Sequence, residues 1–163
     1  VIPTRGILGL KSILLTKTKG MVIIHHVFDS YGPVKEQSFL GKKHGSLIVS
    51  EPGLSNSYGL NNAQQRGVLF IGSGIEVYEG MVVGQNAYDS DLELNICKTK
   101  KLTNVRASGS DDAISLTPPR ELTLDLALEY VGPDELLEAT PKSLRIRKKI
   151  LSALQRKREK RKE

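Results

Sequence analysis

Apolar residues recur along this chain in short runs separated by Gly, Pro and small polar residues, and the period of the runs changes. Between Arg5 and Thr16 they fall at Ile7, Leu8, Leu10, Ile13, Leu14 and Leu15. That is close to helical spacing, with Pro3 ahead of it and Thr4 placed to cap it. Gly6 and Gly9 weaken the helix in isolation but allow close packing on a sheet. Lys19-Gly20 turns the chain, and the β-branched and apolar run Met21 to Phe28 predicts a strand. One helix and one strand cannot bury each other, so this opening segment predicts the remnant of a larger α/β unit. Asp29-Ser30-Tyr31-Gly32-Pro33 is a turn cluster, and polarity rises from there through Lys43. A domain boundary is set near residue 38, giving units 1–37 and 38–147 with a tail 148–163.

The middle of the chain predicts short β segments. Ser46 to Ser50 is a strand ended by Glu51-Pro52-Gly53, and Tyr58 to Leu60 predicts another. Asn61 to Phe70 predicts a short helix capped by Asn61 or Asn62. Ile75 to Tyr78, Val82-Val83 and Leu92 to Cys97 continue the β pattern after the breaks at Gly72 and Gly74. In Leu92 to Cys97 the alternation puts Leu92, Leu94 and Ile96 on one face and Glu93 and Asn95 on the other. After a polar interval, Ala113 to Leu116 is apolar again and Pro118-Pro119 stops any regular element. Thr123 to Val131 is the clearest helix, with Thr123 as cap, Asp125 at the positive end and Gly132-Pro133 as stop. Leu122, Leu126 and Tyr130 share a face of it, beside Ala127 and Val131. Leu136 to Ala139 and Ser143 to Ile146 predict two strands hinged at Thr140-Pro141. From Lys148 onward the chain is a helix former. The fold class is α+β: a β-rich domain with short helices, preceded by a partial α/β segment and followed by a basic helical tail.

The interval Lys98 to Asp112, KTKKLTNVRASGSDD, fits neither periodicity. It holds four cations, Lys98, Lys100, Lys101 and Arg106, and five small hydrogen-bonding side chains, Thr99, Thr103, Asn104, Ser108 and Ser110. Only Leu102 and Val105 are large and apolar. It reads as a long exposed loop that carries function. Lysines supply point charges for phosphate, and Arg106 supplies a planar fork. Asn104 suits a base or ribose edge, and Gly109 allows close backbone approach. The strand that precedes the loop anchors its base.

Charge sharpens this picture. The chain of 163 residues carries a net +6, and residues 142–163 alone hold eleven Lys/Arg against two Glu. The body before them is mildly acidic, so the basic character belongs to the tail and the loop. Such a division implies a polyanionic partner: RNA, DNA or an anionic membrane surface. The rival reading is a protein-interaction or anionic-membrane-surface module using the tail as a basic amphipathic helix. Against it, residues 148–163 offer only Ile150, Leu151, Ala153 and Leu154 for an apolar face. Aromatics are few and Trp is absent, so Val, Ile and Leu build the core. The single Cys97 leaves no disulfide framework within the chain and fits a reducing compartment. No apolar run approaches the roughly 20 residues of a membrane span, and no signal-peptide pattern opens the chain. It starts at Val1 without Met, and the expectation is a piece of a longer protein.

Catalytic chemistry finds no support. No phosphate-cradling G-x-x-x-x-G-K-[ST] run occurs, and Gly72-Ser73-Gly74 reads as a turn. His25 and His26 are adjacent on a predicted strand and so face opposite sides. His44 and Cys97 are isolated, which argues against zinc. Asp89 and Asp91 read as turn residues. Asp111-Asp112 could form a metal-binding pair, but reads better as a cap for the returning chain or as an acceptor of backbone hydrogen bonds that hold the loop.

The run KTKKLTNVRASGSDDA, with PPRELTLDLALEYV, DELLEATPKSLRIRKK and the upstream QQRGVLFIGSGIEVYEGMVVGQNA, resembles the C-terminal part of the TypA/BipA ribosome-associated GTPases. PTRGILGLKSILLTKTKG is similar to the last helix and strand of an elongation-factor-G-like fifth domain. The resemblance covers nearly the whole chain. It implies a domain that binds large-subunit ribosomal RNA, with the loop reaching toward the peptidyl-transferase centre and the acceptor end of an A-site tRNA. The residues expected to meet RNA are Lys98, Lys100, Lys101, Thr103, Asn104, Arg106 and Ser108 of the loop, and Arg145, Arg147, Lys148 and Lys149 of the basic run. The resemblance also implies a cytoplasmic, monomeric factor acting in translation under stress and in large-subunit assembly. GTP and Mg would belong to a G domain outside these residues, so no cofactor and no catalysis are expected of this chain. Tyr88, Leu10, Lys11 and Asp112 depart from the family pattern. The loop is expected to be disordered away from the ribosome.

Overall fold

The computed structural model describes residues 1–7, 10–33, 44–99, 115–159 and 161. Its helices are α1 (Leu10–Lys17), α2 (Ser57–Gln64), α3 (Leu124–Tyr130) and α4 (Ala153–Glu159). Its strands are β1 (Ser46–Val49), β2 (Gly53–Leu54), β3 (Gly67–Leu69), β4 (Glu76–Val77), β5 (Met81–Asn86), β6 (Leu92–Leu94), β7 (Glu135–Ala139) and β8 (Leu144–Lys148). This is the expected α+β arrangement.

β5 is the spine of the main sheet. β1 runs antiparallel along one side of it, and β8 and β3 share the other, β8 against Met81-Val82 and β3 against Gly84 to Asn86. β6 lies parallel to β1 at one edge and β7 pairs with β8 at the other. β2 and β4 form a separate two-stranded pair.

Alternation along β5 decides the packing on both faces. Met81 and Val83 join Leu47, Val49, Leu60, Ala63, Leu69, Val77 and Ile96 in a core covered by α2. Val82 faces the other way and meets Ile146 and Ala127, with Phe70, Tyr130 and Leu137 around them under α3. Phe70 and Tyr130 touch edge to face, with ring centroids 5.2 Å apart.

Three expectations are corrected. Tyr58 to Leu60 is not a strand: α2 starts at Ser57, and Asn56 is its cap, accepting from the Gly59 N–H at 2.9 Å. Leu60 and Ala63, one helical turn apart, are both buried, and that shared face outweighs the short apolar run. The helix expected over 61–70 ends at Gln64, because Gly67–Leu69 is captured by β5 as a strand. Met21 to Phe28 forms no strand, and among the described residues no neighbour pairs with it. A lone extended segment leaves its backbone groups to water and has little stability. Met21, Ile23 and Val27 are accordingly exposed.

Candidate nucleic-acid interface

The outgoing root of the polar interval is built from β6. Leu92 and Leu94 pack on the core with buried Ile96, and Glu93 and Asn95 face the other way, as the alternation predicts. Asn95 accepts from the Cys97 N–H at 2.9 Å and donates to Glu51 at 2.7 Å. The Asn56 side chain donates to the Cys97 carbonyl at 2.7 Å, and its main-chain N–H donates to the Ile96 carbonyl at 3.1 Å. Lys98 and Thr99 follow, both exposed.

The returning root is held from the opposite end of the same helix. Gln64 Nε2 donates to the Ser115 carbonyl at 3.0 Å. Its Oε1 accepts from Thr117 twice, from N at 3.0 Å and from Oγ1 at 2.9 Å. Gln64 lies eight positions after Asn56, a rise of about 12 Å along the helix axis. Lys100, Lys101, Thr103, Asn104, Arg106, Ser108 and Asp111-Asp112 lie outside the described residues, as does the expectation about the loop's order. A helix cap at Asn61 or Asn62, as the sequence suggests, leaves both anchors unassigned; the cap is Asn56. The Asn-x-x-Gly spacing from Asn56 was the available signal.

The basic run divides by strand alternation. Lys148 shares a face with Ile146 and points under α3, where it is 1% exposed. Its ammonium meets Asp134 at 2.7 Å and Glu135 at 2.9 Å, and also pairs with Asp91. Burial alone would lower its pKa, but the hydrogen bonds it donates to three carboxylates carry it well above the usual lysine value. Lys148 is therefore removed from the expected RNA contacts: it is sealed from solvent and its donors are spent. Glu135 also accepts from Ser46 Oγ at 2.7 Å and from the Gly132 N–H at 3.0 Å. Asp91 accepts from the Ser46 N–H at 2.8 Å, so this expected turn residue is part of a buried network.

Arg147 lies on the opposite face of β8. Its Nε donates to Glu138 at 2.6 Å, and Tyr78 donates to the other oxygen of that carboxylate at 2.6 Å. Burial and the Glu138 hydrogen bond both raise the Tyr78 pKa, so the phenol stays protonated. Arg145 sits across the strand from Glu138, and Lys149 is exposed beyond the strand end. In α4, Arg156 Nη2 donates to Glu93 at 2.9 Å, and Lys157 lies 3.4 Å from the same carboxylate. Burial pushes the Glu93 pKa up, but Arg156 and Lys157 outweigh it and hold it below the usual carboxylate range. Glu79 accepts from the Ala153 N–H at 2.8 Å, so α4 is pinned at its start as well. Among the described residues no group of three metal-ligating side chains is arranged to hold a metal ion, and no helix is long and apolar enough to cross a membrane.

These features define a small α+β domain that holds both roots of a cation-rich segment on one helix and continues into a basic strand and helix. Residues 44–153 match the TypA/BipA C-terminal domain. The chain belongs to the TypA/BipA family. It is similar to the large ribosomal subunit assembly factor BipA of Bacillus subtilis (strain 168), 41% identical over 155 residues, 95% of this chain and 25% of that protein. The factor of the same name from Synechocystis sp. is 43% identical over 148 residues, 91% of this chain and 25% of that protein. That from Escherichia coli (strain K12) is 42% identical over 158 residues, 97% of this chain and 26% of that protein. The chain thus spans about a quarter of the length of these relatives.

Proposed function

We propose that this chain is a ribosome-binding module that docks on large-subunit ribosomal RNA through the interval 98–112. The observation that carries the reading is the double anchor on α2, which holds both roots of a segment with four cations on a rigid element. A binding loop gains affinity when its ends are ordered in advance. The relatives named as large ribosomal subunit assembly factors support the same partner. On this reading Lys98, Lys100, Lys101 and Arg106 meet phosphates. Thr103, Asn104 and Ser108 meet sugar or base edges, and Arg145 and Lys149 extend the contact. Arg147, held by Glu138, supports the sheet more than the interface.

The finer reading is that the loop reaches toward the peptidyl-transferase centre and the acceptor end of an A-site tRNA. The parent would act in the cytoplasm as a monomeric GTPase in large-subunit assembly and stress-related translation, with GTP and Mg in its own G domain. The rival membrane-surface reading is disfavoured because Arg156 and Lys157 of the tail helix are engaged by Glu93.

Filter binding of the chain to large ribosomal subunits across a salt series tests the proposal. Affinity should fall with a log–log slope of about −0.7 per neutralised phosphate on single-stranded RNA. Arg106→Ala should weaken binding more than Arg158→Ala in the tail. Binding that is flat across salt, or equal small losses for the two variants, would overturn the reading.

A further inference from the structure

Asn62, Gln65 and Arg66 project from α2 and its C-terminal end at i, i+3 and i+4, so they form one stripe. All three are exposed, and none makes a side-chain hydrogen bond or ion pair to a described residue. The stripe lines a cleft of about 390 Å³ whose opposite wall is β6 with Asn95. The walls meet where Gly59 lies against Ile96: a Cβ at position 59 would come 2.3 Å from the Ile96 carbonyl oxygen.

The two walls differ in chemistry. On the β6 side the polar groups are already committed, Glu93 to Arg156 and Asn95 to Glu51 and Cys97. On the α2 side two amides and one guanidinium are available. An amide offers a donor and an acceptor side by side, which matches the edge of a nucleobase. A guanidinium fits a phosphate or stacks on a base plane. The volume lies within the range of small-ligand sites and is too small for a duplex. An acidic peptide could pair with the amides and with Arg66 but offers no flat base for the guanidinium to stack on.

We propose that this cleft takes one unpaired nucleotide of an RNA strand, its base against Asn62 and Gln65 and its phosphate against Arg66. The site rests on the reading of the chain as an RNA-binding module, and among the described residues its lining includes no residue of the interval 98–112. Because α2 forms one wall and also holds both loop roots, a nucleotide seated there braces the helix that positions the loop.

The test is an amide chemical-shift titration of the 163-residue chain with oligoadenylate and oligouridylate, and separately with polyglutamate and inorganic phosphate. Resonances of residues 62–66 and 92–95 should move saturably with a single-stranded oligonucleotide. The double variant Asn62→Ala/Arg66→Ala should bind it about tenfold more weakly, equivalent to about 1.4 kcal/mol. Both side chains are exposed, so the core is untouched, and Arg66→Lys should keep part of the affinity. Shifts with polyglutamate alone would assign the cleft to an acidic protein partner and overturn the proposal. Shifts with phosphate equal to those with oligonucleotide, or no shifts, would also overturn it. If the chain binds large subunits and the double variant binds them as well as the parent, the cleft proposal fails and the ribosomal reading stands. If oligonucleotide fills the cleft but large subunits are ignored, the ribosomal reading fails instead.

Discussion

Asn56 and Gln64 stand at opposite ends of α2, and each holds one root of the same polar interval. Asn56 takes the Cys97 carbonyl at 2.7 Å, while Gln64 takes the Ser115 carbonyl and both donors of Thr117. One short helix thereby fixes the separation and direction of two arms that are distant in sequence. Its position is set by Leu60 and Ala63 in the core, so the anchors inherit the rigidity of the sheet.

Gln64→Ala separates positioning from folding. The lost bonds lie near the surface, so the stability cost is about 1 kcal/mol. The returning root loses all its bonds to Gln64, so affinity for large ribosomal subunits should fall several-fold. Urea unfolding and filter binding on the same samples check both numbers. A loss of binding no larger than the loss of stability would argue against a positioning role.

Lys148→Met should destabilise the fold by about 3–5 kcal/mol, because Glu135 stays buried without its counter-charge. Adding Glu135→Leu should recover part of that loss. Denaturant melts of the single and double variants measure it. The pH dependence has a fixed sign. Lys148 has a folded pKa raised above its unfolded value, so its contribution is fully present below the unfolded pKa, roughly 10.4. It is lost as pH rises further through the folded value. The part of the network's stability that depends on the Lys148 charge should be level across neutral pH and decline in strong alkali.

Glu93→Gln should release α4 without unfolding the sheet. Hydrogen exchange at residues 153–159 should speed up while exchange in β5 stays slow. Acid should reproduce the effect. The Glu93 pKa is depressed in the fold, so its contribution is present above the unfolded carboxylate value and is lost as pH falls through the lower, folded one.

Gly59→Ala tests how tightly α2 is seated. The new Cβ would meet the Ile96 carbonyl oxygen at 2.3 Å, and the nearest atoms all belong to the Ile96 backbone. A loss of about 1–3 kcal/mol is expected from the forced shift. Ala at an ordinary helix position would instead gain up to about 1 kcal/mol over Gly, so the sign of the change in the melt decides the matter.

Much of the domain was legible residue by residue. Thr123 caps α3 as its sequence requires, with its hydroxyl accepting from Leu126 N–H at 3.4 Å. Leu92, Leu94 and Ile96 share the core side of β6 because alternation is a local property of extended backbone. The β7–β8 pair folds back at Thr140-Pro141, where Thr140 and Ser143 bond each other. The resemblance of the polar interval and the basic run to a family was likewise readable from one chain.

What lay beyond the sequence was every feature that depends on a distant partner. Lys148 reads as one more cation in a basic tail, and only the sheet brings Asp91, Asp134 and Glu135 around it. Gly67 to Leu69 reads as the end of a helix until β5 offers it a strand to pair with. Met21 to Phe28 has the composition of a strand but no strand beside it among the described residues. Local period, turns and the place of the cation-rich interval could be read from residue order, because these follow from each residue's own backbone and near neighbours. The tertiary structure decided which charges are buried and which helix holds the interval, because burial and long-range hydrogen bonds exist only once remote segments meet.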